Sequence, residues 1–508
     1  MIKKIINFIK ENKYEVIILG IVLIIAAFLR LYKIVDYMTF LGDEGRDAII
    51  VRRFLVYFDL MLVGPGTSVG NMYLGPLYYY LIAPSLFLAR FSPVGPSVFV
   101  ALMGVATVFL TWLTTRQWFG KYAALIAAGL YALSPTTIIY SRSSWNPNVM
   151  PFFALLCIYS LWKIWKEEKY TWFLVLGISY AFCLQSHYLG LLLLPTIGLF
   201  FVIKSLKLKK ENLIKPFVKN AIIGTIIFLF LMSPLVIFDA RHGFRNYSSI
   251  KTFFTDRQKT VSIAPWNAIP KMFPIFENVN TRLIGGRNNI SGIYLSIISL
   301  VFVVWLFFNK KKINTKSKDA YILLLTWIFF GLIGLGLYKQ EIYDHYYGFF
   351  FPAPFIFIGF LIQSIYPVAK KAGRILIIAG LCYLLFLNIK ESPLRYYPNQ
   401  QLRRAREVAE KVSQEVGDKE FNFAVIAERN YEAGYQYFLE LWGKKVVKID
   451  AQEPDTITDQ LFVVCETEKD KCDPTHNSKA EVANFGWSRI ESQWTIFGTT
   501  LYKLVHTK

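Results

Sequence analysis

"LGPLYYYLIAPSLFLARF", residues 74–91, is long and apolar enough to be read as a membrane span, and the topology of the chain turns on whether it is one. Around it lie eleven further apolar stretches near the roughly 20 residues that a bilayer demands. They run near 15–33, 97–115, 122–140, 148–165, 171–186, 187–203, 219–238, 291–308, 320–338, 349–367 and 374–389. Between them fall the basic clusters "RQWFGK", "KIWKEEK", "KSLKLKK", "KKKINTKSK" and "KKAGR". Lys and Arg in short loops stay on the cytoplasmic side, so the five clusters should share one face. They do so only if the net number of crossings between residues 34 and 116 is odd. Counting 74–91 as a span would turn every later basic loop outward. The stretch is therefore read as an interfacial or re-entrant helix on the outer face, where its three tyrosines, Pro76 and Pro84 are at home. The result is a polytopic α-helical membrane protein of eleven spans, N-terminus inside and C-terminus outside.

Composition agrees. Of 508 residues 54% are hydrophobic, and the mean hydropathy is +0.39. The formal charge of +21 invites a nucleic-acid reading, but residues 1–394 carry 40 Lys/Arg against 17 Asp/Glu while residues 395–508 carry 16 against 18. The excess thus belongs to the loops of the hydrophobic part and sets topology, which argues against nucleic acid. Lys3, Lys4, Lys10 and Lys13 precede the first apolar run as in a signal peptide. That run ends in "RLYKIVDY" without a small-residue cleavage site, so an uncleaved first span is expected.

Residues 1–394 form the transmembrane domain, with external loops at 34–96 and 239–290. From about 395 the grammar changes. "LRRAREVAEKVSQEV" has helical spacing, "FNFAVIAE" and "LFVVCE" read as strands, and "EAGYQYFLELWG" reads as a helix between them. Residues 395–508 are thus expected to be a small extracytoplasmic α/β domain. Cys157, Cys183 and Cys382 lie in apolar runs, whereas the spacing of Cys465 and Cys472 allows a small disulfide loop in an oxidising compartment. The glycines of "GPGTSVG" lack the Lys-Ser/Thr of a nucleotide-phosphate loop, and no HExxH, GxSxG or Cys/His metal spacing occurs.

Charge gathers on the outer side at membrane depth. "FLGDEGRDA", residues 40–48, sets Asp43 and Glu44 beside Arg46 and a third acid just past the first span. Carboxylates at such depth mark water-accessible, functional cavities; the bland reading is a solvated helix cap with acids in its first turn. "SPTTIIYSRSSWNPN" adds Arg142, Trp145, Asn146 and Asn148, and "LQSHYLG" adds His187. "FDARHGF" supplies Asp239, Arg241 and His242, and "YKQEIYDHYYGFFFPAP" supplies Glu341, Asp344, His345 and Tyr346. Singly, each has an ordinary explanation, such as a snorkelling arginine at a helix end. Their shared level is the signal.

An Asp-Glu pair after the first span, then "GPLYYYLIAP", then "LIAAGLYALSPTTIIYSRSSWNPN" resembles the GT-C membrane glycosyltransferases. The likeness is greatest to the bacterial branch related to protein O-mannosyltransferases and lipid A aminoarabinose transferases. It covers about residues 15–200, and the later spans in general layout. The resemblance implies transfer of a sugar from a polyprenyl-phosphate carrier to an acceptor hydroxyl on a lipid, glycan or protein, at the outer face, with inversion. It maps the acceptor-activating carboxylate onto Asp43, with Glu44 its neighbour, and places Arg142 where a cation could meet the donor phosphate. Related enzymes often carry a second acid in the loop after the third span, where this chain has Asn146 and Asn148, and no Asp-x-Asp occurs. No cofactor is implied with certainty, and a divalent metal stays open.

The residues fit that chemistry by themselves. An acceptor hydroxyl needs a general base, which contributes roughly 10²–10⁴-fold. A leaving lipid phosphate needs fixed cations, for which Arg46, Arg142, Arg241, His242, His187 and His345 are candidates. Tyr79 and its neighbours in "LYYYL" can stack on a sugar. A flippase or exporter of lipid-linked saccharides is the alternative, and a non-catalytic assembly factor a third reading. Asp43→Asn separates them, because only the enzyme loses sugar transfer.

Overall fold

The computed structural model describes residues 2–67, 72–255, 260–262, 264–309 and 314–507. The glycine-rich stretch 64–70 is therefore described only to Thr67, and the basic cluster 310–318 only from Asn314. Among the described residues, eight helices are long and apolar enough to cross a membrane: Lys13–Leu31, Val94–Phe119, Asn146–Trp165, Tyr188–Lys210, Ile214–Arg241, Asn289–Asn309, Thr315–Gly336 and Lys371–Lys390. A ninth span results if Asp344–Phe350 and Pro352–Ile365, bent by 61°, count as one. Ile214–Arg241 shows its apolar side chains to the outside, with Ile222, Ile226, Leu229 and Phe230 all exposed. Such a surface is stable against lipid and not against water.

Two expected spans come out shorter. The 122–140 stretch is a 13-residue helix, Lys121–Leu133. It breaks at Ser134, whose ψ of 121° is extended as the residue before a proline requires, and resumes as Pro135–Ile139. The 171–186 stretch is Trp172–Ser186, 15 residues. Residues 74–91 contribute only Leu77–Leu88, 12 residues. At 1.5 Å per residue that is about 18 Å, well short of a hydrocarbon core of about 30 Å.

Three of the basic clusters gather at one end of the bundle. Arg116 pairs with Glu15 at 2.7 Å, and Gln117 donates to Glu167. Lys166 pairs with Asp319 at 2.6 Å, and Lys204 with Glu168 at 2.6 Å. Bonds thus tie 116–117 to the first span and to 163–169, and 163–169 to Lys204 and Asp319.

The C-terminal domain docks at the other end. Four strands, β1 (Asn422–Ile426), β2 (Gln460–Cys465), β3 (Ser488–Ile496) and β4 (Thr499–His506), form a sheet in the order β1-β2-β4-β3. β1 and β2 are parallel, and the rest is antiparallel. The β3–β4 hairpin, absent from the reading of the sequence, turns at Phe497 and Gly498, both at positive φ as a tight hairpin turn needs. Helix Gln401–Val416 buries Leu402, Ala405, Val408, Ala409 and Val412 at helical spacing against one face of the sheet. Cys465 and Cys472 are disulfide-bonded. Helix Ala433–Leu441, between β1 and β2, lies on helix Gly42–Tyr57 of the membrane part. Phe40 packs against Tyr437 and Phe438 there, all three buried. Burial of one such ring is worth about 1.5–3 kcal/mol. Glu440 pairs with Arg52 and Arg53 at the margin.

Candidate active site between the acidic helix and the C-terminal domain

The run Gly42-Asp43-Glu44-Gly45-Arg46-Asp47 is the first turn and a half of helix Gly42–Tyr57, and its residues divide by face. Gly42 and Gly45, three apart, face the C-terminal domain. A Cβ on Gly42 would lie 2.3 Å from the Tyr431 ring, and one on Gly45 2.4 Å from the backbone of Ala433. The two glycines therefore permit backbone-level contact between helix and domain. Glu44 turns back along the chain: its Oε2 accepts the Leu41 N–H at 3.0 Å, and the side chain is buried. The Gly42 N–H is satisfied from outside the helix by Asn430 Oδ1 at 2.9 Å.

Asp43, Arg46 and Asp47 form the third face. Arg46 Nη1 donates to Asp43 Oδ1 at 2.9 Å, while its Nε and Nη2 donate to Asp47 Oδ1 at 3.0 and 2.8 Å. The Tyr79 hydroxyl adds a 3.2 Å bond to Asp47 Oδ1. The Tyr431 hydroxyl donates to Asp43 Oδ1 at 2.8 Å and accepts from Arg46 at 3.2 Å. Asp47 is sealed in at 1% side-chain exposure, but Asp43 is 41% exposed.

Burial pushes the Glu44 carboxyl up to about 7; the Leu41 N–H opposes this, and Asp43 and Asp47 reinforce it. Burial also raises Asp47 to about 6, with Arg46 holding it down. Burial would lower the Arg46 guanidinium, but Asp47, Tyr79, Tyr431 and Asp43 outweigh it and keep the side chain protonated. Of the three acids, Asp43 alone is both close to the surface and not consumed by the fold. Glu44, expected beside it as a catalytic partner, is a helix cap.

The remaining candidates divide between this site and the scaffold. Tyr78, next to Tyr79, bonds Ser144 Oγ at 2.7 Å and so joins the acidic helix to the 140–148 loop. In that loop Asn146 donates to the Ser186 carbonyl at 2.7 Å. Trp145 meets the His345 ring edge-on at 4.7 Å between centroids, and His187 lies 5.9 Å from His345. Burial drives His187 down to about 3, so that ring is neutral. Arg142 is committed elsewhere. Its Nη1 and Nη2 donate to the carbonyls of Leu29 and Tyr32 at 2.6 and 2.7 Å, closing the C-terminal end of the first span. Arg241 and His242 end helix Ile214–Arg241 at an exposed corner, where His242 stacks on Phe238. Asp239 is buried and accepts the Asn246 and Tyr247 N–H groups. Neither group reaches the acidic helix.

Four residues that the sequence did not single out belong to the picture. Asp47 lies one helical turn from Asp43, a visible spacing. Asn430 and Tyr431 come from the other domain, 388 residues away, with no local signal. Arg287 follows Arg282, which is paired with Asp344 at 2.5 Å; burial and the neighbouring Arg282 depress Arg287. Its Nε has no hydrogen-bond partner among the described residues. Tyr140, which feels the charges of Arg282, Arg287 and Asp344, links the pair to His345. Among the described residues no three His, Cys, Asp or Glu side chains gather as a metal site. The guanidinium already standing between Asp43 and Asp47 occupies the place a dication would take, so this donor set does not fit one.

This architecture is the GT-C fold, shared with ArnT and with the oligosaccharyltransferase AglB. ArnT from Cupriavidus metallidurans, solved bound to undecaprenyl phosphate, superposes with a TM-score of 0.60 at 12% identity, covering 97% of this chain and 98% of that one. The Archaeoglobus fulgidus oligosaccharyltransferase AglB, solved with an inhibitory peptide and a dolichol-phosphate, gives 0.54 at 12%, covering 90% and 70%. The family model for dolichyl-phosphate-mannose-protein mannosyltransferase matches residues 74–238, a stretch that holds Tyr79, Arg142, Asn146 and His187 and leaves out the acidic helix. The mannosyltransferase-like proteins YkcB and YycA of Bacillus subtilis (strain 168) are 30% and 32% identical over 118 and 116 residues. Those matches span 22% of this chain and 16% of either relative's length.

Proposed function

We propose that this chain is an inverting glycosyltransferase that moves a sugar from a polyprenyl-phosphate carrier to an acceptor hydroxyl at the outer membrane face. The observation that carries it is the division of the acidic helix: Glu44 and Asp47 are buried and committed, while Asp43 has Oδ1 fixed by two donors and its side chain open to the surface. A carboxylate so held is suited to take a proton from an incoming hydroxyl. The acceptor oxygen attacks the anomeric carbon as its proton passes to Asp43. The bond from that carbon to the phosphate oxygen breaks, and the lipid phosphate leaves with the electron pair. Arg287, whose charge reaches Tyr140 and whose Nε has no hydrogen-bond partner among the described residues, is the candidate cation for the departing phosphate.

Geography supports the outer face. The girdle of basic residues lies opposite the C-terminal domain, which by the charge rule favours an outside position for that domain. A disulfide in the domain agrees with an oxidising compartment. Transport of a lipid-linked saccharide finds less support. Among the described residues the buried charges of the spans, Glu15, Arg30, Lys163, Lys204 and Asp239, sit near helix ends and are engaged there.

The test is sugar transfer by membranes carrying the wild-type or Asp43→Asn chain, supplied with the lipid extract of cells lacking the protein. The wild type should consume an accumulated polyprenyl-phosphate sugar seen by mass spectrometry. Asp43→Asn should lose at least roughly 100-fold in rate while expressing normally. Undiminished transfer would refute the assignment.

A further inference from the structure

We infer that the C-terminal domain is part of the reaction centre, with Tyr431 a positioning residue that orients the Asp43 carboxylate. The inference rests on Asp43 being the base and goes beyond it, since one of the two donors that fix that side chain comes from the C-terminal domain. The Tyr431 hydroxyl and Arg46 Nη1 both donate to the same oxygen, Asp43 Oδ1, at 2.8 and 2.9 Å. Two donors converging on one oxygen set the carboxylate plane. Oδ2 has no hydrogen-bond partner among the described residues and is left for the acceptor.

The tyrosine is itself tightly placed. Its ring lies flush on Gly42, where any Cβ would collide with it. Its N–H is held by Asn430 Oδ1, the same atom that accepts from Gly42 at the start of the acidic helix. Asn430 Nδ2 donates to Glu466 at 2.6 Å, and Glu466 is also bonded by Tyr435 and Arg404. Glu466 directly follows Cys465, one end of the disulfide. A chain of bonds therefore runs from the stapled loop through Glu466, Asn430 and Tyr431 to Asp43. Docking alone would not require it, because the Phe40 cluster and the Glu440 pairs already hold the two parts together. The hydroxyl points at the one acid of the helix that is open to the surface.

Purified full-length protein in nanodiscs tests this with three variants. Tyr431→Phe keeps the ring on Gly42 and removes only the hydroxyl. It should lower kcat roughly 10- to 100-fold, the scale set by a misplaced catalytic group. The donor KM, the affinity for undecaprenyl phosphate and the melting temperature should all stay near wild type. Asn430→Ala, which frees the whole loop, should lower kcat and the melting temperature together. If Tyr431→Phe keeps kcat within twofold while Asp43→Asn is inactive, the inference is overturned and the base assignment stands. A loss in Tyr431→Phe that appears in donor KM or melting temperature overturns it too, because the hydroxyl would then serve binding or stability. An active Asp43→Asn would remove the reading on which the inference rests.

Discussion

Replacing Glu44 by Gln separates structural work from chemistry on the acidic helix. The Glu44 carboxyl titrates near 7 in the folded protein, raised from about 4.5 chiefly by burial. Between these values the folded state binds a proton that the unfolded chain releases. Stability contributed by this group is therefore greatest below about pH 4.5 and declines as the pH climbs to 7, where it levels off. At 1.36 kcal/mol per pKa unit the full loss is about 3 kcal/mol. Gln is uncharged throughout, and its side-chain oxygen can still accept the Leu41 N–H that Glu44 Oε2 takes at 3.0 Å. The variant should thus melt several degrees higher than wild type at pH 8 and about equally at pH 4.5, with sugar transfer within a few-fold of wild type. The assay is thermal unfolding of purified protein from pH 4.5 to 8, paired with initial rates. An unchanged pH dependence of melting would show that Glu44 carries no buried-charge penalty. Loss of transfer with a normal melting curve would make it catalytic after all.

Gly45→Ala forces a methyl to within 2.4 Å of the Ala433 backbone; overpacking of this kind costs about 1–3 kcal/mol, so the melting temperature should fall and trypsin should cut the 391–400 connection faster, and unchanged behaviour would contradict the close docking. Arg142→Ala strands the carbonyls of Leu29 and Tyr32 and should lower stability without raising donor KM. Arg287→Ala should do the reverse, with a donor KM at least roughly tenfold higher, the order expected for one charge-assisted contact; the opposite pattern would return the phosphate to Arg142. Reducing the Cys465–Cys472 bond should loosen the loop that carries Glu466, seen as a lower melting temperature with dithiothreitol that a Cys465→Ser/Cys472→Ser variant no longer shows.

Much of the fold is legible because lipid is a demanding solvent. Long apolar runs between basic clusters can do little but span, and the shortness of helix Leu77–Leu88 agrees with the charge rule that denied it a crossing. Asp43 is legible for a related reason: an acid at the end of a span is costly unless it is used. What the chain conceals is division of labour within six residues. In "GDEGRD" both glycines look like flexibility and both first acids look equivalent. Their roles are set by Tyr431 and Ala433 on one side and by Tyr79 on another, all from separate elements. The carbonyl partners of Arg142 are concealed in the same way, because the helix end that it closes is brought to it only by the fold.

The missing second acid has a physical reason. Position 146 donates a hydrogen bond to the Ser186 carbonyl at 2.7 Å. An ionised Asp there would set oxygen against oxygen in a buried loop, at a cost of about 1–3 kcal/mol or more. It would also add negative charge to a loop that Tyr78 ties to the helix of Tyr79, the partner of Asp47. Arg46, forked between Asp43 and Asp47, instead supplies positive charge from within the helix itself. On the acidic helix, one exposed carboxylate and one buried carboxylate balanced by an arginine make a set that can accept a proton without repelling an anion. That electrostatic economy suits the proposed single-base transfer from a lipid phosphate.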